Sequence, residues 1–245
     1  MPKESFPKTS WTVVLNARDD TPEGRKALAL LCDAYWFPVY AFLRRRGASA
    51  EEASDQTQGF FARLIEKNAL ASVDRTRGTK FRSWLLGCVK HHLQDEYAHA
   101  RSAAAGGNVR FESLDAERAE GRYQAEPSHD VTPERLYDRA FAENLLHRVL
   151  ERVREKYAAA EKSVLFDALK GTLTASASRD RYEEVAARLG RSEGDVRKAA
   201  FDLRGAYKKI LLAEVESLVD PPPDAVDAKR AVDDEIEYLL RALAG

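Results

Sequence analysis

Apolar residues recur along this chain at the spacing of α-helices, and the strict alternation that would indicate strands is missing. The first strong apolar segment opens on Thr21-Pro22-Glu23, which has the form of an N-cap followed by proline at the first helical position. Pro38 is expected to interrupt or kink this helix, and Gly47 is expected to end it. The pattern predicts an all-α protein.

The next segment, residues 49–67, predicts a second helix with two unusual positions. Ser49 and Glu52 fit a capping box. An apolar stripe is formed by residues at helical spacing: Ala53, Phe60, Phe61, Leu64 and Ile65. Thr57 falls within that stripe, where we expect a half-buried hydroxyl that bonds to a helix carbonyl. Gly59 falls on the outward face, although glycine costs about 1 kcal/mol relative to alanine inside a helix, so that face is a candidate contact surface.

A third helical segment is locally basic. Between residues 75 and 101, lysine and arginine outnumber aspartate and glutamate, and Phe81, Trp84 and Tyr97 are interleaved with them. Aromatic rings stack on exposed bases while cations hold phosphates, a combination that suits single-stranded or distorted DNA. The alternative is that Phe81 and Trp84 are core residues, because they lead an apolar run. The basic residues are therefore the stronger indication of nucleic-acid binding.

The second half of the chain contains a candidate helix-turn-helix. A short helix, a turn at Gly190 and a longer helix capped by Ser192 have the required layout. The candidate groove-facing residues lie at or after the turn: Arg191, Ser192, Arg197, Lys198 and Arg204. A helical hairpin with a glycine turn would share this spacing, so DNA binding and simple packing both stay open on this evidence.

Charge and cysteine content narrow the function. The 245-residue chain has 39 Lys and Arg against 40 Asp and Glu, a net charge of -1, which argues against a simple basic coat for nucleic acid but not against local patches. Cys32 and Cys88 are far apart and lack a metal-binding motif, so we expect buried thiols. His91 and His92 each precede a carboxylate by one helical turn, yet a third ligand is missing, so we expect no metal site.

Catalytic and membrane signals are also missing from the sequence. We find no plausible nucleophile, metal cluster or phosphate-binding loop, so we expect neither an enzyme nor a bound cofactor. No stretch approaches the ~20 apolar residues needed to span a bilayer, and the N-terminus lacks the apolar core of a signal peptide. These features predict a cytoplasmic protein that binds no membrane.

These parts, in this order, resemble a bacterial RNA polymerase sigma factor of the extracytoplasmic-function type. LCDAYWFPVYAFLRRRG and EEASDQTQGFFARLIEK resemble the first two helices of the promoter-melting domain, and KFRSWLLGCVKHHLQDEYAHAR resembles the third. RYEEVAARLGRSEGDVRKAAFDLRGAYKKIL resembles the helix-turn-helix that reads the -35 element. The FPKTSW and VDDEIEYLLRAL segments resemble a subgroup associated with Ser/Thr kinases.

The resemblance implies two helical domains, a promoter-melting helical bundle and a C-terminal helix-turn-helix domain, joined by a flexible linker. The expected bounds follow the chain: an N-terminal extension at 1–20, a region 2-like domain at 21–101, the linker at 102–131, a region 4-like domain at 132–220 and a tail with a short amphipathic helix at 221–245.

The resemblance also implies roles for individual residues. Core RNA polymerase would bind an outward face of the second helix: Asp55, Gln58, Gly59, Ala62 and Arg63. The -10 element would be held by residues of the third segment: Lys80, Arg82, Lys90, His91 and Arg101. The -35 element would be read by the helix-turn-helix residues named above. The docking helix is poorer in acidic residues than is usual in that family, and the recognition helix is less basic.

Three further hypotheses stay open at this point. A Ser/Thr kinase or an anti-sigma factor is a candidate partner, and phosphorylation of Thr57 would add about -1.5 to -2 charges where the docking helix is short of acid. The chain could instead be a polymerase-binding decoy or adaptor that does not support initiation. It could also be a helix-turn-helix repressor or activator that binds duplex DNA without polymerase.

Overall fold

The computed structural model describes residues 14, 17, 21–67, 69–73, 80–102, 114–125, 131–173, 179–219 and 225–244. Helices make up nearly all of these ranges and no strand occurs within them, which confirms the prediction of an all-α protein. In chain order the helices are α1 (Pro22–Arg45), α2 (Ala50–Glu66), α3 (Phe81–Ser102), α4 (Leu114–Gln124), α5 (Pro133–Ala159), α6 (Ser163–Leu169), α7 (Arg179–Leu189), α8 (Glu193–Leu218) and α9 (Ala225–Ala244). Short 3₁₀ turns lie at Ala69–Ser72 and Lys170–Thr172.

Helix α1 begins and ends as its sequence predicts. The Thr21 hydroxyl accepts a hydrogen bond from the Gly24 amide at 2.9 Å, and Gly47 follows the helix with a φ of 100°. Pro38, however, does not interrupt α1, which continues to Arg45. The residues around Pro38 are buried, so tertiary packing holds the helix together despite the missing backbone donor.

The described chain forms two compact units. Unit 1 comprises residues 1–144 and 215–245, and unit 2 comprises residues 145–214. In unit 1 the Tyr35 ring of α1 stacks on Phe141 of α5 at 5.3 Å and meets Phe81 of α3 edge-on at 5.5 Å. By length and composition α1 resembles a membrane span, but its apolar side chains are largely buried in this core. The aromatic cluster fixes the start of α3, the segment with the candidate DNA-binding cations.

Unit 2 is built around the predicted helix-turn-helix. Gly190 joins α7 to α8 with a φ of 61°, a conformation that glycine adopts without strain. The two helices pack on α6 and on the part of α5 in this unit through a buried apolar cluster: Val153, Phe166, Leu169, Val185, Val196, Ala200 and Leu203. The layout of a short helix, a glycine turn and a longer helix is therefore present, with the outer side of α8 left exposed.

These units divide the chain at other positions than the expected domain bounds, and the expected domains stay a prediction. The expected linker, 102–131, contains helix α4, and the tail contains an amphipathic helix as expected, α9, which lies in unit 1. Glu120 of α4 accepts hydrogen bonds from the Tyr40 hydroxyl at 2.5 Å and the Arg44 Nε at 2.8 Å. The contacts of α4 are largely polar, and apolar periodicity does not reveal such contacts.

Candidate nucleic-acid interface

Five residues of α2 are expected to bind polymerase, and all of them lie outside the buried stripe of this helix. The capping box is complete: the Glu52 amide donates to the Ser49 hydroxyl at 3.2 Å, and the Ser49 amide donates to the Glu52 carboxylate at 2.8 Å. The Ser49 backbone amide thereby lowers the pKa of Glu52. Gly59 and Ala62 are exposed, and the other members are half-buried: Asp55, Gln58 and Arg63.

Gly59 makes this face smooth. A methyl group built on Gly59 would meet no atom within 4 Å, and the residue has an ordinary helical backbone. Glycine thus lowers the stability of α2 at a position where packing inside the protein does not require a glycine. A surface without a side chain allows another backbone or helix to approach closely.

Arg63 connects the face of α2 with α3. Its guanidinium donates to Nδ1 of His92 at 3.2 Å and pairs with Glu96 at 3.4 Å. His92 is buried, and burial lowers its pKa, so the neutral ring presents Nδ1 as an acceptor. In the sequence, His91 and His92 each precede a carboxylate by one helical turn, but His92 supports the packing of α2 on α3 whereas His91 is exposed.

Thr57 lies inside the protein. Its hydroxyl donates to the Ala53 carbonyl at 2.6 Å, as its position in the apolar stripe predicts, and the residue is 0% exposed rather than half-buried. Phosphorylation of Thr57 stays a prediction, and it requires α2 to leave its seat before a kinase reaches the hydroxyl.

Lys80 and Arg82, two of the cations expected to hold DNA, are paired with a carboxylate of α9. Both donate to Glu235, whose side chain is 0% exposed. A second contact from Arg82 to Glu235 measures 3.3 Å, and the two cations lie 5.2 Å and 4.1 Å from the centre of the Tyr238 ring. Arg82 is only 4% exposed, so the structure does not present it at an open surface as the sequence predicted.

The other residues expected at the -10 element differ in their accessibility. Lys90 pairs with Glu134 at 2.8 Å, and both side chains are more than two-fifths exposed. The side chain of Arg101 lies outside the described residues. Within the described ranges, no three His, Cys, Asp or Glu side chains are grouped so as to hold a metal ion. Lys90 and His91 thus form the open part of the predicted surface.

The aromatic residues of α3 favour the core alternative more than base stacking. Phe81 is buried, and its ring stacks on Trp84 at 5.5 Å. Trp84 is half-buried, and the side chain of Tyr97 lies outside the described residues. Phe81 is therefore a core residue, and the Trp84 side chain is partly exposed to solvent.

The candidate groove-facing residues of α8 fall into two groups. Arg191 and Lys198 are exposed, while Ser192 caps the helix by accepting from the Asp195 amide at 3.1 Å. The other two cations are also exposed, but each has a partner within unit 2. Arg197 donates to Glu193 at 2.7 Å, and Arg204 donates to the Thr172 carbonyl at 3.4 Å and to the Tyr182 hydroxyl.

Phe201 is a surface residue that sequence reasoning missed. Its side chain is 73% exposed on a side of α8 that faces away from the buried stripe of Val196, Ala200 and Leu203. The signal was present in the sequence, because a residue one position after Ala200 lies about 100° away from the buried stripe. An exposed aromatic ring beside Lys198 adds an apolar contact to the groove-facing surface.

Comparison with known proteins agrees with the geometry of unit 1. Residues 33–103 match the family model Sigma-70 region 2, a range that covers the second half of α1 and all of α2 and α3. No curated protein and no solved structure matches the chain. The matched range contains both the smooth face of α2 and the cations of α3. Residues 33–103 are therefore similar to a sigma-70 region 2 domain, and this similarity supports a sigma factor role in RNA polymerase binding and in recognition of the promoter -10 element.

Proposed function

We propose that the protein is a cytoplasmic sigma factor of the extracytoplasmic-function type, similar to those associated with Ser/Thr kinases, which binds core RNA polymerase and directs promoter recognition. The observation that carries the proposal is the region 2 match, because it falls on the helices that hold the predicted docking face and the predicted -10 surface. The helix-turn-helix layout of unit 2 supports a second DNA contact. The protein itself catalyses no covalent step.

In this proposal α2 docks on the clamp helices of the largest polymerase subunit. Gly59 and Ala62 supply a flat area for close approach, and Arg63 ties that area to α3 through His92. A shift of α2 on docking would therefore change the contacts of Arg63 with α3. The few carboxylates on the face imply that shape, more than charge, sets the affinity for polymerase.

Promoter opening is the proposed task of α3. Extruding a base from the duplex costs a few kcal/mol, which stacking and hydrogen bonds in a pocket offset. Lys90 and His91 are already accessible to the displaced strand, while Lys80 and Arg82 reach it after leaving Glu235. The half-exposed edge of Trp84 is available for contact with a base.

Unit 2 is proposed to read the -35 element through α8. Arg191 and Lys198 are open for phosphate or base contacts, and Phe201 is suited to packing on a thymine methyl group in the major groove. Arg197 and Arg204 must exchange internal partners for DNA, so each adds less binding free energy than a free cation would.

A polymerase-binding decoy is the second candidate function. The burial of Arg82 and its pairing with Glu235 favour it, because both reduce the free positive charge available to DNA. A decoy would bind polymerase without supporting initiation. A helix-turn-helix regulator that acts without polymerase would instead bind duplex DNA tightly on its own.

Transcription in vitro separates these functions. Purified core polymerase is incubated with the protein and with fragments of the genome from which the chain derives, and transcripts are mapped. A sigma factor gives discrete start sites that require the protein. Polymerase binding without transcripts supports the decoy, and tight duplex binding without polymerase supports the regulator.

A further inference from the structure

We propose that α9 is an internal cover of the promoter-binding cations, in which Glu235 occupies Lys80 and Arg82 until DNA phosphates replace it. This inference rests on the proposed function, since it takes the two cations to be DNA ligands. It adds a control step to that function: promoter opening requires α9 to leave its seat on unit 1.

Glu235 is placed as a substitute for a phosphate. Both of its carboxylate oxygens accept hydrogen bonds from the two cations, and its side chain has no exposed area. A buried carboxylate is costly unless it is paired and hydrogen-bonded, so this position on α9 is matched specifically to the cations. An anion with several oxygens, such as a DNA phosphate, satisfies the same donors.

Tyr238 completes the seat one helical turn further along α9. Its ring lies over both cations, and its hydroxyl donates to the carboxylate of Asp138 on α5. Burial and the contact with Asp138 raise the pKa of Tyr238 to about 12, so the hydroxyl keeps its proton at neutral pH. The seat therefore pairs Lys80 and Arg82 with the Glu235 carboxylate and places an aromatic ring beside them.

The attachment of α9 combines one polar cluster with an apolar contact. Among the described residues of α9, Glu235 and Leu239 are buried, and Val232, Ile236 and Tyr238 are half-buried. The hydrogen bonds of Glu235 can be replaced by those of a competing anion. Displacement of α9 by DNA therefore also has to offset the loss of the apolar contact.

The exposed surface of α9 carries both signs of charge. Asp233, Asp234 and Glu237 are exposed, and so are Lys229 and Arg230. The change in local charge on release of α9 therefore comes chiefly from freeing the two paired cations.

The test uses the full chain and a fluorescein-labelled single-stranded DNA of mixed sequence. Glu235→Gln keeps the shape of the side chain and removes its charge. Glu237→Gln on the same helix is the matched control, since Glu237 is exposed and pairs with Arg241 of α9 itself. Binding is followed by fluorescence anisotropy at several salt concentrations, and circular dichroism checks the fold of each variant.

We expect Glu235→Gln to bind this DNA about fivefold or more tightly than the wild-type chain, the lower end of ordinary coupling between two binding events. Glu237→Gln should show wild-type affinity. Adding Lys80→Ala and Arg82→Ala to Glu235→Gln should remove the gain and lower the slope of log affinity against log salt by about 1.4, for two phosphate contacts on a single strand.

Two results would overturn different parts of the reasoning. Equal affinities of the wild-type chain and Glu235→Gln, together with weaker binding when Lys80 and Arg82 are replaced, would remove the cover and leave the proposed function standing. No effect of replacing Lys80 and Arg82 in the Glu235→Gln chain would instead remove their assignment to DNA.

Hydrogen exchange on the wild-type chain decides the matter even if Glu235→Gln folds poorly. Saturating single-stranded DNA should reduce the protection of the amides in α9 while those of α1 stay protected. Unchanged protection of α9 in the DNA complex would contradict the proposal, because a displaced helix loses its tertiary contacts.

Discussion

Replacing Gly59 by alanine should stabilise the protein and weaken polymerase binding at the same time. A residue that is kept only for the fold cannot give this combination. The two effects have separate causes in the structure, one in the backbone of α2 and one in the surface that α2 presents. The substitution therefore tests the docking face without damaging the core.

The stability gain follows from helix propensity. Alanine is favoured over glycine by about 1 kcal/mol inside a helix, and a methyl group at position 59 meets no atom within 4 Å. No clash opposes the gain, so urea denaturation should show unfolding free energy higher by about 0.5–1 kcal/mol. The melting temperature should rise by about 2–4 °C per kcal/mol for a chain of this length.

The binding loss follows from close approach. A methyl group inserted into a well-packed contact typically costs about 1–3 kcal/mol, which corresponds to a loss of polymerase affinity of roughly five- to 150-fold. Gly87→Ala on α3 is the control, because Gly87 is also exposed and a methyl group there is equally unopposed. It should give the same stability gain without the loss of affinity.

Binding to purified core polymerase is measured by titration with a fluorescent copy of the protein. If Gly59→Ala raises stability but binds polymerase as the wild-type chain does, the face around position 59 is not the docking surface. If neither glycine variant is stabilised, the local helix reasoning is wrong.

Further predictions concern the packed helix α4, unit 2 and the buried threonine. Arg44 holds the pKa of Glu120 at about 2, so the ionised Glu120 stabilises the protein above its ordinary pKa, and this stability is lost as the pH falls towards 2. Glu120→Gln should lower the free energy of unfolding by about 2 kcal/mol at pH 7. In denaturation experiments below pH 4, this loss should become progressively smaller. Phe201→Ala should weaken binding to a -35 duplex by about tenfold where the exposed ring contacts a thymine methyl group. Lys198→Ala should weaken binding to all duplexes alike. Equal losses for Phe201→Ala on thymine and uracil duplexes would contradict the methyl contact. Thr57→Asp should destabilise α2 because it places a charge in the core. If the Thr57→Asp protein instead has the melting temperature of the Thr57→Ala protein and a higher polymerase affinity, this result would support the proposed phosphorylation switch.

Local signals predicted the helices well. The Thr21 cap, the Ser49 and Glu52 capping box and the Gly190 turn all form as their sequence patterns indicate. These features depend on residues within a few positions of one another, so a single sequence contains what is needed to recognise them. Pro38 shows the limit, because the packing that keeps α1 continuous comes from residues far along the chain.

Long-range pairing was beyond what the pattern contained. Glu120 and Glu235 look like ordinary charges of amphipathic helices. Yet Glu120 is bound by Arg44, 76 residues away, and Glu235 by Lys80, 155 residues away. Periodicity identifies which side of a helix is apolar but not which carboxylate is buried. The stripe of α9 gave one hint, since Glu235 lies one helical turn before the buried Leu239.

The near-zero net charge of the chain has a structural counterpart in these pairs. Lys80, Arg82 and Arg197 each have a carboxylate partner within their own unit. DNA binding by such cations is an exchange, in which a phosphate gains a partner that a carboxylate loses. The net gain is therefore smaller than for free cations, and the isolated protein should bind DNA weakly. Polymerase alters this balance if docking brings the DNA close enough to raise its effective concentration at α3. The pairing thus favours promoter binding by the assembled enzyme over binding by the free protein, and it does so without lowering the number of cations that finally contact the DNA.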